Sequence, residues 1–350
     1  MDFNVYDNSG TWVGIVEAPT SAIWTRRWNK PNDFELYFPA SEEALELLED
    51  DFFITREDAE EVMLIEHIEI ITDEENGNYM LISGRGVECI LERRIIWNQT
   101  TVSGRVDACM HQLVFENVIY PDDPDRAMTL IMYAPTVTTE TMKAQYTGKN
   151  LLATVEEVCA AHGLGFRAVA DFTYGYLVPR LELMKGTDRS EGQTATSPVV
   201  FSAEYENLLS SSYVMDTSGF KNVALVAGEG EGKARKRATY GRASGMARRE
   251  VYVDARDMST NDGEISDADY AVQLEARGAE ALAENALMES FDGEISTDNT
   301  FVLNEDYFLG DVVTVENEYG IRKDSRIASI MESWDETGHQ TVPTFENVEV

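Results

Sequence analysis

The chain has 350 residues, of which 43% are hydrophobic, and its 64 acidic residues against 28 Lys and Arg give a formal net charge of -36. This length holds two to four compact units, and the hydrophobic content excludes a disordered chain. The charge excludes a protein that tracks nucleic-acid phosphates, and leaves three explanations: solubility or a salt-rich setting, binding of cations or basic partners, and a surface to which passing nucleic acid does not adhere.

Residues 1–103 predict a first unit made mostly of antiparallel hairpins. Gly, Pro, Asn and Asp cluster where the chain must reverse, and apolar residues fill the segments between them. The turns are expected at residues 7–10, 29–33 and 73–78, between strands at residues 1–6, 12–17, 21–28, 34–38, 62–72 and 79–84. Ser41 opens a short helix over residues 42–48, and residues 87–94 predict a second one.

One strand of this unit departs from strict alternation. Between Leu64 and Ile70 the polar residues Glu66, His67 and Glu69 alternate only loosely with apolar ones. This pattern predicts a strand that is buried on both faces, and it makes His67 a core histidine with satisfied hydrogen bonds.

Residues 104–198 predict an α+β insert of different character. Apolar residues recur at helical spacing over residues 105–117 and again over residues 150–162, and Gly163 is placed to end the second helix. Residues 166–170 and 177–184 follow as two strands.

Residues 199–350 return to β structure around one long helix. Strands are expected at residues 199–201, 209–215, 222–227 and 249–254, and Asp267 begins a helix over residues 267–290. From Tyr307 onward, three short strands between Gly-bearing turns predict the end of a small barrel or sandwich. The predicted fold class is mainly β with an α+β insert: two small β-barrel domains at 1–103 and 199–350, an α/β domain at 104–198, and the long helix.

Three segments carry weak signs of ligand chemistry. Residues 228–233, GEGEGK, resemble a phosphate loop, but two glutamates lie inside it and further β structure follows, so we expect a loop or long hairpin. Residues 261–265 resemble part of a calcium loop, yet Met258 and Thr260 fall on ligand positions. Residues 122–125 carry three aspartates and predict a solvated turn.

The remaining reactive side chains are scattered. The cysteines form no CxxC pair and no complete disulfide set, and we expect buried free thiols at Cys89, Cys109 and Cys159. The histidines are His67, His111, His162 and His339, and no HExxH or GxSxG motif is present. His162 precedes a helix end, where an imidazolium favours the helix dipole. We expect no catalytic, cofactor-binding or metal-binding residues, no cofactor and no enzyme, although a catalytic triad assembled in space needs no such motif.

The basic residues of this acidic chain occur in clusters. They form the runs 26–27, 93–94, 235–237 and 248–249. Two interpretations stay open: ion pairs with nearby carboxylates of the same chain, and salt bridges between subunits. We also expect no membrane span, because no apolar run approaches the roughly 18 residues required, and no signal peptide, because the start lacks basic and apolar regions.

Five groups of segments resemble one known family in their order and spacing. They are residues 24–27 with 34–36, 82–86 with 91–94, 200–202 with 206–208, 221–223 with 228–230, and 309–313. In this order they resemble the siphophage tail-hub proteins of the ReqiPepy type. That family is related in fold to the baseplate hub of contractile phages and to the N-terminal part of tail-associated lysins. The resemblance covers almost the whole chain.

The resemblance implies a homotrimer in which two barrels per subunit form a pseudo-hexameric ring that continues the tail tube. It implies a distal tail protein, the tube and the tape-measure protein as partners on one side, and tail-tip or receptor-binding proteins on the other. The ring would connect or close the tube and let DNA pass through its lumen without specific binding during genome ejection. The subunit would be made in the host cytoplasm and located in the virion.

Two alternatives remain beside this hub. One is a cell-wall-degrading tail enzyme, but lysin relatives carry their enzyme after the hub and this chain ends at Val350, so we expect the hub alone. The other is a carbohydrate-binding adhesin, which needs Trp and Tyr exposed along a groove. The aromatic residues here lie within strand patterns, and that placement is more typical of a core. A lumen that conducts DNA is expected to be acidic, which fits the net charge.

Overall fold

The computed structural model describes residues 2–73, 77–134, 138–295 and 301–348. Four α-helices lie in these ranges: α1 (Glu42–Leu47), α2 (Val106–Val114), α3 (Leu151–Ala161) and α4 (Asp267–Glu284). The first twelve strands are β1 (Asp2–Tyr6), β2 (Trp12–Glu17), β3 (Ser21–Arg27), β4 (Asp33–Pro39), β5 (Phe53–Arg56), β6 (Val62–Asp73), β7 (Gly77–Gly86), β8 (Thr100–Arg105), β9 (Met132–Tyr133), β10 (Thr141–Tyr146), β11 (Gly165–Asp171) and β12 (Val178–Met184). The other nine are β13 (Val200–Ser202), β14 (Leu208–Asp216), β15 (Val223–Ala227), β16 (Arg237–Tyr240), β17 (Glu250–Asp254), β18 (Met288–Ile295), β19 (Val312–Glu316), β20 (Arg322–Asp335) and β21 (Gly338–Asn347).

Local chemistry explains why these elements begin where they do. The Asp7 carboxylate accepts the backbone N–H groups of Ser9 and Thr11, which closes the turn between β1 and β2. Ser41 caps α1 and Asn150 caps α3, each through a side-chain oxygen that accepts a backbone N–H of the first turn. The hairpin β1–β2, the hairpin β3–β4 and the Ser41 cap confirm the sequence predictions.

Thirteen strands form one mixed sheet that runs through both halves of the chain. Its main path is β14-β18-β21-β20-β3-β4-β7-β6-β5-β1-β2, with β19 paired to β20 and β13 paired to β19. Strand β20 joins the halves because its first residues pair with β19 and its later residues, Ser329 to Trp334, pair with β3. Strand β21 pairs along its opposite side.

The structure corrects two of our predictions about this architecture. The described strands close no barrel, and the two expected barrels are joined in one open sheet, because β3 finds its partner in the C-terminal strand β20. The long helix ends at Glu284 and not at residue 290, since Asn285 caps it and Met288 already pairs with Asp216 of β14.

Four apolar clusters stabilise the units. The N-terminal half packs around Trp24 and Phe34, and the C-terminal half around Phe201 and Phe345. The insert has the largest cluster, which spreads onto the back of the first sheet half through Tyr6, Phe53, Val62 and Leu64. Helix α4 packs on the separate sheet β16-β15-β17 in the fourth cluster, lined by Ala224, Val226, Met258, Tyr270 and Leu274.

Strand β6 shows where the prediction of burial on both faces holds and where it is wrong. Val62 and Leu64 face the insert while Met63 and Ile65 face the N-terminal core, so this part is buried on both sides. A bulge follows Ile65, and beyond it the strand emerges from the core. His67 is therefore exposed, 3.9 Å from a Glu69 oxygen, and is not the core histidine we predicted.

Trp28 lies where the two halves of the sheet and the insert meet. Its backbone N–H donates to Ala328 O and its carbonyl accepts from Phe166 N, at 2.8 and 3.0 Å. The ring packs against Gly310, whose φ of +87° belongs to the left-handed region. A Cβ atom at Gly310 would overlap the ring atoms of Trp28.

We expect Gly310→Ala to destabilise the fold by about 2–4 kcal/mol, since the strained φ and the overpacked ring both cost free energy. The matched control is Gly175→Ala, which has a similar φ of +83° but open space around the new methyl group. It should cost only about 1–2 kcal/mol. Urea unfolding of both variants measures the difference, and equal losses would contradict a packing role for Trp28.

Candidate assembly site

The joint between the two sheet halves holds a buried group of charges. Arg26 on β3 and Arg56 at the end of β5 each place Nη2 3.0 Å from Oε2 of Glu332 on β20. All three residues are less than one-tenth exposed. Two guanidinium groups thus share one carboxylate, and the buried pairs tie β20 to the N-terminal strands.

Aromatic rings enclose this joint. The guanidinium carbon of Arg56 lies 5.4 Å from the centroid of the Trp24 ring and 4.8 Å from that of Trp334, so the cation is sandwiched between two indoles. His339 stacks on Trp334 with its Nε2 3.6 Å from Oε1 of Glu332. The joint is therefore both charged and packed, which fixes the angle between the halves.

A second joint attaches the insert to the C-terminal strands. Asp311 is buried, and its carboxylate accepts the backbone N–H of Thr187 and the Nε–H of Arg189, both at 2.7 Å. It also accepts the backbone N–H of Phe308 at 3.1 Å. These charge-assisted bonds explain why Asp follows Gly310 in the segment that the resemblance singled out.

A third joint attaches the insert to the N-terminal half through Glu88. This residue is fully buried in the turn after β7, and its two oxygens accept the backbone N–H groups of Asn32 and Ala168 at 2.9 and 3.2 Å. The pKa of Glu88 is raised to about 7, mainly by burial and to a smaller extent by the nearby Glu61 carboxylate, while the backbone N–H groups that it accepts oppose this shift. The folded chain therefore retains a proton there that an exposed carboxyl would lose.

The open sheet leaves two long strands with one free side each among the described residues. Strand β14 pairs only with β18, and strand β2 pairs only with β1. Neither contains Lys, Arg or Pro, the residues that commonly block sheet edges. Leu209 and Met215 on β14 are 60% and 58% exposed, and Trp12 on β2 is 54% exposed.

The segment that resembled a phosphate loop has a structural role. Residues 228–233 follow β15 and lead through a short 3-10 turn into β16, with no α-helix opening after them. The Glu229 carboxylate accepts the Thr260 hydroxyl and the Lys236 ammonium, at 2.6 and 2.9 Å. The Thr260 hydroxyl is the main cause that lowers the pKa of Glu229 to about 2. The Glu229 carboxylate thus joins the loop after β15 to the loop after β17. The segment is a structural loop, as we predicted, and not a phosphate loop.

The two weaker cation motifs also form turns. Asn261 and Asp262 adopt positive φ in a 3-10 turn, and Asp123 caps the short turn Pro124–Arg126. Within the described ranges no group of three or more His, Cys, Asp or Glu residues is arranged to hold a metal ion.

Cysteines and histidines are not brought together in the structure. Cys89, Cys109 and Cys159 are buried free thiols as predicted, and burial raises the thiol pKa of each. His162 caps the C-terminal end of α3, and burial lowers its pKa. The His111 ring lies tilted against the Phe115 ring in the insert, with centroids 5.6 Å apart.

The basic clusters find partners within the chain. Arg27 pairs with Asp33, Arg93 with Asp51, Arg235 with Asp254, Lys236 with Asp267, and Arg248 with Glu250. Arg94 and Arg249 donate to backbone carbonyls. These contacts are the intrachain ion pairs of the first interpretation, and salt bridges between subunits stay a prediction.

Comparison with solved structures finds this fold in phage tail proteins. The 43 kDa tail protein of prophage MuSo2 from Shewanella oneidensis has a TM-score of 0.56 at 12% identity, over 99% of this chain and 98% of that one. The tail protein from Neisseria meningitidis MC58 gives 0.57 at 12% identity, over 99% and 96%. Prophage tail protein gp18 from Listeria monocytogenes EGD-e gives 0.53 at 13% identity, over 99% and 95%. No curated protein matches the sequence.

The sequence itself assigns the family. Residues 2–345 match the family described as Siphovirus ReqiPepy6 Gp37-like protein, and the chain belongs to it. This result confirms the resemblance to the ReqiPepy-type family that was drawn from the ordered segments. In the part of the chain that the structure describes, no helix has both the length and the apolar content to cross a membrane.

Removing the shared carboxylate should unfold the joint between the sheet halves. We expect Glu332→Gln to lower the free energy of unfolding by about 3–5 kcal/mol, because the buried Arg26 loses its ion-pair partner and the buried Arg56 keeps only the exposed Asp58 carboxylate. Asp51→Asn removes the exposed partner of Arg93 and should cost at most about 1 kcal/mol. Chemical denaturation compares them, and a small loss in Glu332→Gln would refute the role given to this joint.

Glu88 should make stability fall as pH rises from about 4.5 to about 7. In this window the folded chain holds a proton that the unfolded chain releases, so unfolding becomes easier. The glutamine of Glu88→Gln does not titrate, so the variant lacks this loss. Between pH 4.5 and 7, the unfolding free energy of the variant minus that of the natural chain should therefore rise by roughly 3 kcal/mol. Glu57→Gln, at an exposed position, is the control for the loss of one carboxylate. Parallel pH profiles for Glu88→Gln and the natural chain would contradict this account.

Proposed function

We propose that this protein is the hub subunit of a siphophage tail tip, and that three copies form a pseudo-hexameric ring which continues the tail tube. Each sheet half takes the place of one of the two barrels expected per subunit. The observation that carries the proposal is the open thirteen-strand sheet, whose long edges β14 and β2 are free among the described residues.

The two edges suit a head-to-tail contact. An unpaired strand without blocking Lys, Arg or Pro is a template for a further strand, and a strand from another copy would cover it. Strand β14 offers nine residues with Asp216 as its one ionisable acid, and β2 offers six with Glu17 as its one. Pairing β14 of one copy with β2 of the next is a heterologous contact, which forms a ring when the rotation between successive copies closes after three subunits.

The net charge suits the same role. A chain with charge -36 presents mostly carboxylates, and its basic clusters are largely neutralised internally. A lumen lined by such subunits repels phosphates, so DNA passes through it during genome ejection without adhering. The joints at Glu332, Asp311 and Glu88 connect the units of each subunit to one another, so that each subunit enters the ring as one body.

The proposal includes the neighbours and domains of the hub. The ring connects a distal tail protein, the tail tube and the tape-measure protein to tail-tip or receptor-binding proteins. The domains run from 1 to 103, from 104 to 198 and from 199 to 350, and the insert and α4 project from the ring. We assign the protein no catalytic role, no cofactor and no metal, and we propose that it is made in the host cytoplasm before assembly.

Light scattering of the purified protein should give three times the subunit mass of 39.2 kDa. Leu209→Lys combined with Val214→Lys places two charges on the β14 edge and should yield monomers, because each ammonium would be desolvated in the contact. Val272→Lys combined with Tyr319→Lys makes the same charge change at exposed sites outside both edges and should leave the trimer intact. A monomeric natural chain, or trimers of the β14 variant, would contradict the proposal.

A further inference from the structure

A polar groove on the insert is separate from both sheet edges and from the three joints. It lies between the start of β8 and the end of α2, where the helix continues as a π-turn over Phe115–Ile119. Its volume is about 350 Å³, and its lining includes side chains of Asn98, Gln99, Gln112, Glu116, Tyr120 and Asp122. These are amides, carboxylates and one phenol.

Hydrogen bonds hold the walls of this groove in place. Asn98 Nδ2 donates to Asp122 Oδ2, and Gln112 Nε2 donates to Glu116 Oε1, both at 2.9 Å. Each of these pairs links a carboxylate and an amide, and leaves further oxygens for a ligand. The buried Asn117 fixes the floor, since its Oδ1 accepts the backbone N–H of Trp97 at 3.0 Å.

Aromatic rings stand beside the groove. Tyr120 is 76% exposed and stacks on Phe115, with ring centroids 5.9 Å apart. Trp97 is 60% exposed, and the guanidinium of Arg126 lies 4.9 Å from its ring centroid. Exposed, pre-positioned rings of this kind are costly to leave in water and offer a flat apolar face beside hydrogen-bonding groups.

The chemistry of the lining selects the ligand. Among the described residues no Lys, Arg or His lines the groove, and the nearby Arg126 is bonded to Ile95 O. Glu116 and Asp122 contribute negative charge, so phosphates, sulfates and other anions are disfavoured. Polar walls disfavour an apolar ligand, because their amides would be desolvated without a partner. The class of ligand that remains has many hydroxyl groups, apolar C–H faces and no negative charge.

We propose that this groove binds a neutral or amino-bearing saccharide, with Tyr120 stacked on a sugar face and Gln112, Glu116 and Asp122 bonded to its hydroxyl groups. The binding site gives the protein a contact with surface glycans that is independent of ring formation. It requires no change in the fold, since the groove and its rings are already in place.

The first test is a glycan array that carries neutral, amino-bearing, sulfated and sialylated oligosaccharides, probed with the intact protein. The expected result is binding to members of the first two groups only, with a Kd of about 1 mM or tighter for the best ligand by calorimetry. Binding to none of the glycans, or to acidic glycans alone, would overturn the proposal.

Variants then assign the binding to this groove. Tyr120→Ala and Gln112→Ala should each weaken the best array ligand by about tenfold or more. Tyr174→Ala removes another exposed tyrosine, one that neighbours the Tyr176 ring, and should bind as the natural chain does. Circular dichroism and thermal melting confirm that the variants fold. Unchanged affinity in folded Tyr120→Ala and Gln112→Ala would place the ligand elsewhere and refute the site.

Discussion

Strand β20 is the element on which the rest of the structure depends, because it is shared by both halves of the sheet. It pairs with β19 and β21 of the C-terminal half, and beyond Ser329 it pairs with β3 of the N-terminal half. Glu332 on this strand carries the one carboxylate that Arg26 and Arg56 share. The joint here turns two hairpin systems into one sheet whose edge strands β14 and β2 are free among the described residues, and the proposed ring follows from those edges.

The distribution of charge supports the same picture. A chain with charge -36 uses buried carboxylates at its joints and pairs most of its clustered cations internally. Buried ion pairs add little net stability, but they specify geometry because an unsatisfied partner is expensive. The joints therefore define how the units are arranged, while the apolar clusters around Trp24, Phe201 and Leu113 supply most of the stability.

The local elements could be predicted from the sequence, and their assembly could not. Turn residues such as Asp7 and caps such as Ser41 act within a few positions, so patterns reveal them. The pairing of β3 with β20 joins Arg26 to Glu332, 306 positions away, and depends on packing that no local pattern encodes. The exposure of His67 follows from a bulge that alternation alone does not show. The polar groove beside Trp97 and Tyr120 was not predicted, because aromatic residues within strand patterns are more typical of a core. The sequence feature that could have indicated this groove is the run of amide and hydroxyl residues at 98–101, directly after Trp97.

Hydrogen–deuterium exchange of β14 in the purified protein tests the central claim most directly. In a ring closed through this edge, the outward N–H groups of β14 are bonded to the next subunit and exchange slowly, like those of the interior strand β18. The account predicts slow exchange in β14 at concentrations where the protein is assembled, and fast exchange on dilution to monomers. Fast exchange of β14 in the assembled protein would contradict it.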